Sequence, residues 1–323
     1  MQVFHAATDL RPDGRKVCVA IGVFDGVHLG HQQVIRQTLA DARQQDGLAV
    51  VITFDKHPST VVAPGRVPPQ IYSLPQKLRA IGALGADAMW LIAFDEAFSR
   101  ITGEEFVRGV ARDFGNLHSV CVGSQFTFGH RRSGDVALLR KLGGELGFGV
   151  HGLSVVALDG QVVSSTRIRE AIRTGQLDAA SQMLGRGYSI EGEVVKGDQL
   201  GRKLGFPTAN LAAHGMALPP HGVYAVRTRV GDAMHRAVLN IGVRPTVDGS
   251  AVSPRVEAHL MDFQGDLYGQ RIEIIFVAKL REEQKFPSVA ALTEQIGSDV
   301  AAAIRLLGAP SSGPGVVLPG RIR

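Results

Sequence analysis

Two cysteines and one tryptophan in 323 residues set the first limits on this chain. Cys18 and Cys121 each sit in a short apolar run, VCVAIGVF and SVCVG. Two lone cysteines without a set of ligand-spaced histidines build neither a disulfide framework nor a zinc site, so both are expected in buried strands. No apolar stretch approaches the ~18 residues of a membrane helix. The opening segment, MQVFHAATDLRPDGRK, lacks the apolar centre of a signal peptide, and the expectation is a cytoplasmic protein with no membrane partner. Basic runs are missing too. The 35 Lys and Arg exceed the 30 Asp and Glu by five, but they are scattered and not interleaved with aromatics. That pattern argues against nucleic acid and leaves anionic small molecules as the better partner for a basic chain.

Apolar residues are plentiful, 45% of the chain, and the length suits two domains. Over residues 1–184, apolar runs at 17–24, 48–54, 88–93, 119–122 and 150–158 alternate with helical patterns at 31–45, 75–84, 103–114 and 135–146. Such alternation predicts an α/β domain whose parallel sheet is covered on both faces. Two short helices, 166–174 and 177–184, are expected to close it, ended by Gly175 and Gly185. From Tyr188 strands follow one another at 189–195, 222–230, 235–241, 255–261 and 270–277, with Gly and Pro between them. A mostly-β domain is expected here, a small antiparallel barrel closed by one amphipathic helix over 288–307. The expected division is therefore 1–185 and 186–308, with a disordered Ser/Gly/Pro tail over 309–323.

Two segments are built to hold phosphate. In GVFDGVHLGH (22–31), His28 and His31 open a helix directly after a strand. Helix N-termini offer unpaired N–H groups and a favourable dipole to anions. Three-residue spacing places both imidazoles on one face, Gly30 between them lets a phosphate approach the backbone, and Gly22 and Gly26 keep the turn tight. A solvated helix start or a metal half-site is the plain alternative for the His pair. SSTRIR (164–169) adds hydroxyls and a guanidinium at another helix start. Ser165 and Thr166 suit N-caps, which is their plain reading, but capping does not account for Arg169 one turn on. His57, in TFDKHP, ends the second strand and either faces the same cleft or is structural.

The second segment, GDQLGRKLGFPTANL (197–211), carries Gly197, Gly201 and Gly205, which permit a backbone wrapped around phosphates. Thr208 and Asn210 offer neutral oxygens to a hard cation such as Mg²⁺, and Pro207 presets the local φ. An ordinary Gly-rich barrel loop is the alternative.

HxGH followed by SSTxIR resembles the signature of the nucleotidyltransferase superfamily. With VGSQFTFGHRRSGD, GVYAV, NIGVRPT, VEAHLMDFQGDLYG and LREEQKF, the chain is similar to the bacterial bifunctional riboflavin kinase/FAD synthetase family from Val17 to about Leu307. The resemblance implies ATP-dependent phosphorylation of riboflavin to FMN by the second domain, and adenylylation of FMN to FAD by the first. It implies ATP and Mg²⁺ at both sites and a Rossmann-like fold for the first domain. By it, His28 and His31 contact ATP phosphates, and Ser165, Thr166 and Arg169 hold the triphosphate end. Gly22, Phe24, Asp25, Gly26, Gly30 and Gln125, and in the second domain Gly197, Gly201, Lys203, Gly205 and Pro207, belong to the nucleotide-binding strings. Glu257 stands at the family's catalytic-base position, while its plain alternative is an exposed strand carboxylate in a salt bridge. Glu283 and Asp262 are weaker candidates. Gln125 departs from the family's Asn or Asp by one methylene, about 1.5 Å, so a kinase with weakened adenylyltransferase is the alternative function. A flavin-binding regulator without catalysis is the reading from another class, and the intact motif residues argue against it.

Overall fold

Along Val17–Ile21 every residue is buried, and alternate positions enter two different cores. Val17, Val19 and Ile21 join Val107, Val110, Phe114, Leu139 and Leu142 on one side. Cys18 and Ala20 join Val34, Ile35, Leu39 and Ile81 on the other. A strand buried on both faces is the centre of a doubly covered sheet. The computed structural model describes residues 1–245 and 252–308; the expected tail over 309–323 and Thr246 of NIGVRPT lie outside the described residues.

The strands of this sheet are β1 (Gln2–Phe4), β2 (Val17–Ile21), β3 (Leu48–Phe54), β4 (Ala88–Ile92), β5 (Leu117–Gly123) and β6 (Gly149–Leu153). All neighbours are parallel, in the order β1-β4-β3-β2-β5-β6. One face carries α1 (Leu29–Gln44) and α2 (Leu74–Gly82), the other α3 (Gly103–Phe114) and α4 (Val136–Leu146). From β2 the chain steps one way to β3 and β4, then returns to β5 and β6 on the other side. The ends of β2 and β5 therefore flank a topological switch point, where sheets of this kind take ligands.

Both cysteines are fully buried free thiols, as expected, and burial pushes the Cys121 thiol up to about 12. Strand β1 is absent from the expected set, and two expected strands differ. The run 17–24 leaves the sheet at Ile21, because Phe24 adopts a left-handed φ of 53°. The run 150–158 splits, its last two residues pairing with Gln161–Val162 in a separate hairpin.

The second unit holds a closed antiparallel barrel. Its strands are β7 (Ser189–Val195), β8 (Ala209–Leu211), β9 (Gly222–Val230), β10 (Ala233–Pro245), β11 (Val252–Leu260) and β12 (Arg271–Arg281), ordered β7-β8-β11-β10-β9-β12. Strand β8, three residues inside the Gly-rich segment, is absent from the expected set; it is too short to show a period, yet it completes the barrel. Two short helices, α5 (Ser165–Arg173) and α6 (Leu177–Leu184), precede the barrel, and α7 (Val289–Leu307) follows it.

The amphipathic α7 packs Ala303 and Leu307 on the outer residues Val223, Ala225 and Val238. Its C-terminal carbonyls are capped by Arg227, which donates to Leu307 at 2.9 Å, and by Arg236, which donates to Gly308 at 3.0 Å. Arg281 grips the buried Asp299 through Nε and Nη2, at 3.0 and 2.8 Å. Removing one partner of a buried, forked pair leaves the other charge uncompensated. Asp299→Ala should therefore destabilise the barrel by about 3 kcal/mol, read from chemical denaturation of this unit.

By contacts, one compact unit is Met1–Pro69 with Leu74–Ser165, and the other is Gln70–Ser73 with the chain from Thr166. Gln70 exchanges backbone hydrogen bonds with Gly215 and Ala217, both at 2.7 Å. The hydroxyl of Tyr72 accepts from Arg186 Nε at 2.7 Å. Four residues from the first half of the sequence are thus part of the unit that holds the barrel.

Candidate active sites

The turn after β2 is bent more sharply than its glycines alone require. Phe24, Gly26 and Val27 have φ of 53°, 77° and 41°. Glycine accepts this at Gly26, but Phe24 and the β-branched Val27 carry strain of order 1–3 kcal/mol each. Side chains from several elements hold the turn in place. The carbonyl of Val23 accepts from Thr53 Oγ1 at 3.1 Å, and that of Val27 from Gln32 Nε2 at 3.0 Å. The carbonyl of Asp25 accepts from Ser165 Oγ at 3.1 Å. Ser165 of the SSTRIR string is thereby brought to the first motif.

The product of this bend is the start of α1. His28 is its N-cap, with Nδ1 accepting from the His31 N–H at 3.4 Å. With Nδ1 as acceptor, the proton of the neutral ring sits on Nε2. The His28 and His31 rings stack at 3.6 Å and 19°, so both imidazoles occupy one face as the spacing predicted. The edge of His31 meets Phe24 at 5.2 Å. The room left at Gly30 is taken by the His28 ring, 3.2 Å from where a Cβ would lie, and that at Gly22 by the Phe24 ring at 3.0 Å. Asp25 is buried.

Behind the turn stands Lys77 of α2, a residue that pattern reading passes over. Its ammonium donates to the Phe54 carbonyl at 2.7 Å, and to the Val23 carbonyl and Thr53 Oγ1 at 3.4 Å each. Burial pushes the ammonium down to about 8, against the pull of the Asp25 and Asp55 carboxylates.

Gln125 is exposed in the turn after β5, on the far side of the switch point from β2 in sheet order. His57 Nδ1 accepts locally from the Ser59 N–H at 3.2 Å, which fits its structural reading. Thr166 and Arg169 lie on α5, exposed and half-buried, beyond the residue at which the first unit ends.

In the barrel, Ala209 and Ala258 are buried, so alternation turns Asn210 and Glu257 to the outer face. Asn210 pairs directly with Glu257 across β8 and β11, and Glu257 with Asn240 across β11 and β10. Thr208 precedes Asn210 by two residues and shares its face. The Gly197 backbone passes so close to Asn210 that a Cβ there would lie 2.3 Å from its amide nitrogen. Only glycine lets this loop fold over the Asn210 side chain. Gly201 similarly abuts the Phe206 carbonyl, which would lie 2.4 Å from a Cβ. Lys203 ends the short helix Leu200–Lys203 and is exposed, and Gly205 follows with a φ of 85°. The Pro207 carbonyl accepts from His259 Nδ1 at 2.8 Å.

Glu257 does take part in a salt bridge: Arg255 Nη2 donates to its Oε1 at 2.7 Å, and Arg255 Nη1 lies 3.3 Å from Asp198. Arg255 escapes sequence reasoning, although its position two residues before Glu257 on one strand places both on one face. Glu283 lies over Gly242, whose cross-strand partner is Arg255. Asp262 accepts from Arg236 at 2.7 Å, a structural role. Beside Thr208 opens a pocket of about 660 Å³, lined by Pro207, Arg202, Gln199, Phe263 and Tyr268 among others. Its size suits a nucleotide or a flavin.

Apart from Arg169, the residues of these sites fall within matches to known families. Residues 10–167 match FAD synthetase, and residues 184–307 match riboflavin kinase. A protein of Pseudomonas fluorescens named bifunctional riboflavin kinase/FMN adenylyltransferase is 38% identical, covering 97% of this chain and 99% of its own length. The chain belongs to the bifunctional riboflavin kinase/FMN adenylyltransferase family. A member from Escherichia coli strain K12 is 35% identical over 93% of this chain and 96% of its own. A solved structure from Streptococcus pneumoniae shares the fold at a TM-score of 0.80 and 29% identity, covering 93% of this chain and 97% of that one. That protein is described as a macrolide-efflux protein. In this family member, no helix among the described residues is long and apolar enough to cross a membrane. His28 and His31 lie inside the FAD synthetase match; Thr208, Asn210 and Glu257 lie inside the riboflavin kinase match.

Proposed function

We propose that the C-terminal half phosphorylates riboflavin to FMN at the Thr208–Asn210–Glu257 face, and that the N-terminal half adenylylates FMN to FAD at His28 and His31. ATP is the co-substrate of both steps, and the enzyme works in the cytoplasm. The carrying observation is that His28 and His31 lie on the first unit inside the FAD synthetase match, whereas Thr208, Asn210 and Glu257 lie on the second inside the riboflavin kinase match.

In the kinase, the attacking ribityl 5′-hydroxyl is not ionised near neutral pH, so a base within hydrogen-bond reach lowers the barrier. Glu257 has that role: its carboxylate accepts the hydroxyl proton as the oxygen bonds to the γ-phosphorus and ADP departs. Arg255 holds one carboxylate oxygen and fixes the direction of the other. Thr208 and Asn210 fit Mg²⁺, because their neutral oxygens share a face and the loop closes over Asn210 at Gly197. Thr208 and Asn210 would hold the ion from the protein side, with oxygens of the nucleotide beside them. When bound, Mg²⁺ neutralises charge on the polyphosphate.

In the adenylyltransferase, the nucleophile is a phosphate oxygen of FMN, already anionic because its second pKa is about 6. No base is required. The residues must align the α-phosphorus and stabilise charge on the departing pyrophosphate, work suited to oriented N–H donors at the start of α1 and to the two imidazoles. Ser165, Thr166 and Arg169 take the triphosphate end by likeness to the family. No observation favours a kinase that has lost the second activity at Gln125.

Supplying riboflavin, ATP and Mg²⁺ should yield both FMN and FAD on chromatography; a folded sample that makes neither refutes the proposal. Fragments test the division. Residues from Arg186 onward comprise the proposed kinase domain of 186–308, and such a fragment should form FMN and no FAD. A fragment from Thr166 retains α5 and α6 and should be the more stable of the two, since Ser181 and Tyr188 hydrogen-bond within that unit. Loss of kinase activity in both folded fragments would show that the site depends on residues before Thr166, Gln70–Ser73 among them.

A further inference from the structure

The turn that presents His28 and His31 is held by side chains from three directions, and one of them carries a buried charge. Gln32 reaches back from α1, Ser165 from the start of α5, and Thr53 with Lys77 from β3 and α2. Lys77 joins two strand ends, because its ammonium meets the Val23 carbonyl after β2 and the Phe54 carbonyl at the end of β3. It is 7% exposed and so is enclosed by the fold.

We propose that Lys77 is a positioning residue for AMP transfer: by clamping the ends of β2 and β3 it keeps the left-handed turn at Phe24–Val27 in the form that stacks His28 on His31. The inference rests on His28 and His31 being the groups that serve adenylylation. A buried ammonium is an expensive way to fill space, and a hydrophobic side chain of the same length would pack there without desolvating a charge. Its presence is explained by the three oxygens it gathers. In the ammonium form, three hydrogens meet three acceptors. The neutral amine has two hydrogens and turns a lone pair toward the same oxygens.

The charged groups facing Lys77 are Asp25 from the turn and Asp55 from the end of β3, and both favour the ammonium. Burial outweighs them and lowers its proton affinity to about 8 from 10.5. Between those values the unfolded chain binds more protons, so the stability contributed by this group rises with pH through that window. Activity and stability should therefore part company. As pH rises through about 8, the clamp loosens while the cost of burying the charge disappears.

The test uses the full chain with Lys77→Met, Lys77→Arg and, in parallel, His28→Ala. Lys77→Met should melt at or above the parent temperature and phosphorylate riboflavin at the parent rate. Its kcat for FMN adenylylation should fall by about a hundredfold, as for a reacting group misplaced by an ångström, with a smaller change in KM. In the parent, adenylylation should decline as pH rises through about 8, and Lys77→Arg, which cannot lose its proton, should lack that decline. Adenylylation by Lys77→Met within about threefold of the parent overturns the proposal. If that variant fails to fold, a parent profile that stays flat across this range, with phosphorylation as the internal reference, overturns it instead. Full activity in His28→Ala would refute the site itself, whereas its loss beside an unaffected Lys77→Met removes only the clamp.

Discussion

Glu257→Gln should lower FMN formation by about 10²–10⁴-fold, the usual contribution of a positioned general base. The substitution keeps the size and planarity of the side chain and removes its capacity to take a proton. FAD formation from supplied FMN should persist, because that reaction belongs to the other half of the chain. The arrangement offers a competing explanation that the experiment must separate. Glu257 is tied to Arg255 at 2.7 Å, and Arg255 also lies 3.3 Å from Asp198, so the carboxylate could serve only to anchor that guanidinium. In that case Arg255→Ala would reproduce the full loss seen in Glu257→Gln. If Glu257 is the base, Arg255→Ala should retain much of the rate, since the carboxylate remains and only its orientation suffers. A kinase rate in Glu257→Gln within a few-fold of the parent would make it an ordinary strand carboxylate.

His28→Ala and His31→Ala should each reduce FMN adenylylation by about 10²–10³-fold, as expected when a preorganised donor aimed at developing charge is lost. Riboflavin phosphorylation supplies the control in the same tube. The two variants should differ in stability. His28 caps α1 through Nδ1 and His31 does not, so His28→Ala also loses about 1 kcal/mol of helix capping. Equal activity losses with unequal shifts in melting temperature would separate the chemical from the structural role of His28. Parent-like adenylylation in both would mean that the stacked pair only shapes the start of the helix.

Most of the architecture was legible because period and composition survive without knowledge of contacts. Apolar runs at 48–54 and 119–122 read as sheet interior, and the switch to closely spaced strands after Tyr188 read as a barrel. Short elements were not legible. Three residues at Ala209–Leu211 show no period, yet they complete the barrel and place Asn210 opposite Glu257. The place of Gln70–Ser73 with the barrel was equally hidden, since Gln70 bonds a segment some 145 residues away and Tyr72 bonds Arg186.

At the sites, the residues proposed to meet phosphate were readable because HxxH and Thr-Ala-Asn are local strings, and Glu257 was singled out by resemblance to the family. The residues that hold them were not readable. Lys77 on an amphipathic helix looks like a surface lysine, and Gln32, Thr53 and His259 look like ordinary polar residues. The sequence by itself determined the two fold classes and the family, since local period carries the first and the motif strings carry the second. Tertiary structure alone decided that Phe24 and Val27 take left-handed φ, that Lys77 lies behind them, and that Arg255 engages Glu257. Such choices follow from long-range packing and desolvation, which set the conformation of a turn or the charge of a lysine only after distant strands have met.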